Sequence, residues 1–176
     1  MANNKIPEVL NSMRVYNDGE DNCLGIATVD LPELPNLTQT ISGAGMAGEV
    51  DAPVLGQYGS METTLNWRTP HHEANKMGGG QAVALEIRGA IQNWDSGVND
   101  YIIDAVRIVI RGRVKSLALG TFETANTTDT TDTIETTYIK IDLNGKTIRE
   151  IDKYACLDAV DGVNKLADIK EALGLS

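Results

Sequence analysis

At 176 residues the chain is long enough for one domain with a real core. A hydrophobic share of 41% excludes a disordered polymer, and 25 acidic against 15 basic residues leave a net charge of −10. That balance disfavours binding nucleic acid through its phosphates, but suits a surface that nucleic acid must pass without sticking.

Cys23 and Cys156 are far apart, show no metal-ligand spacing, and are read as reduced cysteines. No stretch approaches the ~20 apolar residues of a membrane helix. The start of the chain leads into no signal-peptide core, so folding in a cytoplasm is expected.

Residues 1–12 are polar and broken by Pro7, and read as a short arm or helical turn. A strand at 13–16 leads into Asn17-Asp18-Gly19, a turn sequence that tolerates positive φ, with a return strand at 24–31. Pro32 and Pro35 end it, because proline cannot donate to a ladder. A further strand is expected at 38–42.

Gly43-Ala44-Gly45-Met46-Ala47-Gly48 formally matches the dinucleotide fingerprint G-x-G-x-x-G. The motif works only when a helix opens within it. Glu49-Val50-Asp51-Ala52-Pro53 has no helical period, so 43–60 reads as an extended loop of the kind that tends to be functional or interfacial.

Residues 61–68 alternate: Met61, Thr63, Leu65 and Trp67 on one face, Glu62, Thr64, Asn66 and Arg68 on the other. Thr69-Pro70 opens a short helix near 70–77, closed by Gly78-Gly79-Gly80. His71 and His72 point about 100° apart on it and cannot chelate one metal, so they read as solvent-facing.

The stretch 81–115 carries the strongest signal. Val83, Leu85, Ile87, Gly89 and Ile91 alternate with Ala84, Glu86, Arg88, Ala90 and Gln92, and Ile108, Ile110 and Val114 with Arg107, Arg111 and Arg113. Two long antiparallel strands, turning near 94–99, are predicted as the core.

After a short strand at 117–121, the threonine-rich, acidic tract 124–133 has nothing apolar to bury and reads as a loop. Its Asn126-Thr127-Thr128, like Asn36-Leu37-Thr38, matches a glycosylation sequon by chance. A strand at 136–143 turns at Asn144-Gly145, a strong hairpin signal, and returns over 146–152. A closing helix is capped by Asn164, with Leu166, Ile169 and Leu173 facing the sheet and Gly174 as its stop. The fold class is mainly β, a sandwich or barrel-like arrangement of antiparallel sheets, in one domain over 1–176.

No nucleophile with a base, metal cluster or converging carboxylate pair is visible, so no enzyme, metal or cofactor is expected. Arg107, Arg111, Arg113 and Lys115 form one basic row at ~7 Å spacing. It needs acids on an adjoining strand, with Glu123, Glu135 and Asp142 as candidates, or a partner.

Several stretches recur together in one order: Tyr16-Asn17-Asp18-Gly19-Glu20, Leu31-Pro32-Glu33-Leu34, Gly43 to Asp51, and Thr64-Leu65-Asn66-Trp67. Ile87-Arg88-Gly89-Ala90-Ile91, Val109-Ile110-Arg111-Gly112-Arg113-Val114, Lys140-Ile141-Asp142 and Asp161-Gly162-Val163-Asn164 follow. This succession resembles the major tail tube protein family of contractile-tailed phages, and tubes of tail-like bacteriocins are similar. The resemblance implies hexameric rings whose inner strands join into one β-barrel, stacked inside a sheath, with DNA passing the lumen. It implies as partners further copies of the chain, the sheath, the tape measure, and baseplate or terminator proteins, in a virion tail assembled in the bacterial cytoplasm. By the same analogy the 43–60 loop meets the next ring through Gly43, Gly45, Met46, Gly48 and Tyr58. Glu62, Thr64, Asn66 and Glu86 are expected to face the lumen, and the basic row to face outward or a neighbouring subunit. A type VI secretion-like tube and a monomeric β-sandwich binding module are the competing readings.

Overall fold

The long hairpin is the spine of the molecule. A computed structural model describes residues 5–17, 23–25, 28–70 and 79–174. The expected helix near 70–77, with His71 and His72, lies outside them except for Pro70, as does most of the turn after Asn17. In chain order the strands are β1 (Lys5–Asn17), β2 (Thr28–Asp30), β3 (Asn36–Ile41), β4 (Val50–Tyr58), β5 (Glu62–Trp67) and β6 (Ala82–Asp95). They continue with β7 (Asp100–Ala118), β8 (Thr130–Leu143), β9 (Lys146–Asp152), β10 (Leu157–Val160) and β11 (Val163–Asn164), before a helix α1 (Ala167–Ala172).

One nine-stranded sheet runs β1-β6-β7-β8-β9-β10-β11, with β5 on β8 and β2 on β5. All its pairings are antiparallel. The strand β8 forks: residues 130–135 pair with β5, and residues 138–143 with β9. Turn chemistry fixes the registers. Asn144 and Gly145 both take positive φ (51° and 79°), as a tight hairpin needs. At the β6–β7 turn the Asp95 carboxylate accepts from Gly97 N at 2.8 Å, and Asn99 takes φ 58°.

Met61, just before β5, and Leu65 and Trp67 of β5 meet Val83, Leu85 and Ile87 of β6 and Ile108, Ile110 and Val114 of β7 in one buried cluster. Val15, Ile134, Ile139 and Ile151 join from β1, β8 and β9. The sheet therefore curls around its own apolar face, the alternation predicted for 61–68 and 81–115. Gly112 lets two strands close up, since a Cβ there would run into the Glu135 carbonyl and come within 2.8 Å of Ile134 Cγ2.

Elsewhere the structure departs from expectation. The 1–12 segment, from Lys5 onward, is strand paired along β6, with irregularities near Pro7 and Leu10. Those breaks, and exposure on both faces, erase its alternation. Among the described residues, the segment after Cys23 returns along β1 through the Tyr16–Cys23 bridge and Leu24 N on Val15 O, and β2 then joins β5. The 43–60 stretch is a loop only at its tip, because β4 pairs back onto β3. The 124–133 tract is loop only to Asp129: Thr130 and Asp132 are buried, with Asp132 Oδ2 accepting from Trp67 Nε1 at 2.8 Å. These polar side chains are tolerated in the core through partners remote in sequence, Thr130 Oγ1 donating to Leu119 O at 3.2 Å. The closing helix has one turn and a half; Leu166 is buried before it, while Ile169 and Leu173 are exposed, so no stripe packs on the sheet.

Candidate assembly surfaces

Two-stranded ribbons are marginal in water unless something covers them. Strands β3 and β4 form such a ribbon, an arm separate from the main sheet. Its register places Leu37, Gln39, Ile41, Val50, Ala52 and Val54 on one largely apolar face, with Thr38, Thr40, Asp51 and Pro53 on the other. The apolar face is open: Leu37, Ile41, Val50 and Val54 are exposed, and Leu55, the next residue of β4, is 70% exposed. At the tip Met46 N bonds Gly43 O at 3.1 Å, Met46 is exposed, and Gly45 and Gly48 take positive φ with empty space around them. A strand, β4, follows the glycine run, so the helix that a dinucleotide site requires is not there.

Tyr58, expected as an apolar anchor of that loop, instead ends β4 against the body. Its ring packs on the core cluster, and its hydroxyl donates to Asp158 Oδ2 at 2.6 Å while accepting from Arg149 Nη2 at 2.7 Å. Burial, reinforced by the Asp158 bond, pushes the phenol up to about 12.

The second surface is the face of the main sheet opposite the core. Glu62, Thr64 and Asn66 lie on it, and so do Glu86 and the basic row, through the pairings Arg88–Arg107 and Glu86–Val109. Glu86 is not an open lumen acid: it is 4% exposed, clasped by Arg88 Nε at 2.5 Å and Arg107 Nη2 at 2.6 Å. The Arg107 bond, helped by Arg88, holds its carboxyl at about 2 against the cost of burial. Of the candidate acids for the basic row, Asp142 lies 3.6 Å from Arg107, and Glu135 joins Lys153 and Ser60; Glu123 bonds Asn126. Arg111 stacks over Tyr138 at 5.1 Å, Arg113 lies opposite Glu135, and Lys115 pairs with Glu62. The row is thus largely built into the sheet's own cross-strand contacts.

A different strip on this face remains acidic and polar. Asn66 Nδ2 bonds Thr28 and Asp30, both at 3.1 Å, and Thr131 donates to Asn66 Oδ1 at 3.2 Å. Between Arg14 and Arg68 the sequence has no Lys or Arg, so β2, the arm and β5 carry acids alone. Apolar exposure recurs at the β1–β6–β7 end, where Ile6, Val9, Tyr101 and Ile103 are exposed and, among the described residues, no strand pairs with the outer edge of β1 before Val15. None of this apolar exposure is visible from composition; it needs the pairing register.

The family described as phage tail tube protein FII matches residues 7–174. The tail tube protein of Escherichia phage P2 is 29% identical over an alignment of 180 residues, covering 97% of this chain and 99% of that protein. The major tail tube protein of Serratia phage KSP20 is 26% identical over 171 residues, covering 97% and 98%.

Proposed function

Because the chain belongs to the phage tail tube protein FII family, we propose that it is the repeating tube subunit, built into stacked hexameric rings. The observation that carries this reading is the β3–β4 arm: an amphipathic ribbon with its apolar face open has no stable reason to project from a monomer. A neighbouring copy covers it in the tube. The outer edge of β1, which no strand among the described residues pairs before Val15, is likewise closed by a neighbour, which removes the aggregation hazard of a long open strand.

In this reading the strip of Asp30, Glu62, Thr64 and Asn66 faces the lumen. Its acids, Asp30 and the Lys115-paired Glu62, repel phosphate and let DNA slide. The partners are further copies of the chain, a contractile sheath, a tape measure, and baseplate and terminator proteins; the particle is a virion tail put together in the host cytoplasm. Electron microscopy of the purified protein over rising concentration, with mass in solution, tests the reading. Rings or tubes with a central hole support it. A strict monomer up to millimolar concentration, also after addition of preformed tail ends, overturns it.

A further inference from the structure

We infer that Tyr58, Arg149 and Asp158 form a clasp that fixes the angle of the β3–β4 arm to the body, and so position it for docking on a second copy. The inference rests on the tube-subunit reading for its purpose, but not for its mechanism.

The arm has few other supports. Its two strands pack chiefly on each other, and its attachment lies at its base. There Tyr58 Oη bridges Asp158 and Arg149 at 2.6 and 2.7 Å, and Arg149 Nη2 is 2.9 Å from Asp158 Oδ1. Asp158 is 8% exposed, so its charge is held by these two partners in a largely desolvated place. A phenol shared between a carboxylate and a guanidinium has one good orientation, which transmits to the strand that carries it.

Two further contacts fix the same base. Leu166 lies directly on Gly56, where a Cβ would stand 2.5 Å from Leu166 Cδ1; with φ 72° the position demands glycine. Lys153 Nζ donates to Gly59 O at 2.7 Å, and Gly59 N bonds Pro35 O at 2.9 Å, joining the two ends of the arm. One amide ties the parts together: Asn164 Oδ1 accepts from Asp158 N at 3.2 Å and from Leu166 N at 3.0 Å. The residue expected to cap the last helix instead organises the clasp. A ribbon held only by its hairpin bonds would swing, and docking would first have to order it. Held at one angle, it docks pre-organised.

The test compares the protein with Tyr58→Phe, which keeps the packed ring and removes only the bridge. Both carry Cys23→Ser and Cys156→Ser, with spin labels at Ala47→Cys on the tip and Ser116→Cys on the body. The distance distribution is measured below the concentration of self-association, and unlabelled protein is followed by sedimentation. A single narrow distance in the parent that broadens in Tyr58→Phe, with assembly shifted to about tenfold higher concentration, is the expected result. An equally narrow distribution in the variant overturns the clasp. A broadened distribution with unchanged assembly overturns its positioning role. If the parent never assembles, the tube reading fails, and the spin-label result still decides the clasp.

Discussion

Replacing Glu86 by Gln removes the anion between two arginines while keeping the side chain's shape. A carboxyl held at about 2 against its ordinary value of 4.5 corresponds to an upper bound of about 3 kcal/mol. The Arg88 and Arg107 side chains are 52% and 46% exposed, so water screens part of that interaction. About 1–2 kcal/mol remains at pH 7, equivalent to a fall in melting temperature of roughly 3–6 °C for a chain of this size. The sign follows from the depressed carboxyl: its contribution is fully present above the ordinary carboxylate range and lost as pH falls towards 2. Urea unfolding of both proteins at pH 7 and near pH 3 measures it. The gap between them should narrow at the acid end, as Glu86 of the unfolded chain takes up a proton that the native carboxylate still refuses. A gap below ~0.5 kcal/mol at pH 7, or one unchanged down to pH 2, would refute the claim that the arginines hold a working anion there.

Val50→Glu on the open face of the arm should leave the monomer's melt within ~0.5 kcal/mol of the parent and abolish tube formation by sedimentation, since the position is 53% exposed. Gly112→Ala should cost about 2–3 kcal/mol in urea unfolding, because the Glu135 backbone it would strike cannot move without breaking the β7–β8 ladder. Asp132 is fully buried with only one carboxylate oxygen bonded, and burial raises its carboxyl. Its contribution therefore falls as pH rises above the ordinary carboxylate range, and Asp132→Asn, which keeps the acceptor for Trp67, should flatten that decline in melting temperature with pH. Glu62→Lys should leave rings intact while slowing DNA release from reconstituted tails, as counted by DNA ejection assays.

How much of this was legible in the chain depends on where one face of a strand is buried and the other wet. Met61 to Trp67 and Val83 to Ile87 alternate because the curled sheet gives each strand a dry side and a wet side. The first half of β1 and all of β4 have no such contrast; β4 also contains Pro53 and Gly56, which read as loop residues, yet Pro53 sits on an edge and Gly56 under Leu166. Thr130 and Asp132 look like a solvated loop because their partners, Leu119 O and Trp67 Nε1, are remote in sequence. Glu86 lies on the polar face as the alternation requires, and its burial comes from the length of the arginines that fold over it, a fact about neighbours. The clasp is the extreme case: Tyr58 meets residues 91 and 100 positions away.

The arm and the clasp answer one energetic problem together. Ordering a flexible segment at the moment of association costs roughly 0.5–1.5 kcal/mol for each immobilised side chain, and a tube repeats that cost at every subunit. A ribbon already bonded strand to strand, with its base fixed by Tyr58, Leu166 and Lys153, has met most of it during folding. What remains for assembly is burial of the apolar face, at about 25 cal/mol for each Å². The danger of such a design is premature association through the same face. Charge limits it: the arm carries Glu49 and Asp51 with no cation between Arg14 and Arg68. Two arms approaching face to face therefore repel, while an arm approaching any surface that holds the chain's lysines and arginines does not. Raising salt should then favour irregular arm-to-arm aggregates over tubes. Light scattering alongside micrographs across 50–500 mM sodium chloride reads this directly, and regular tubes undiminished at the upper end would show that charge plays no part in keeping the arms apart.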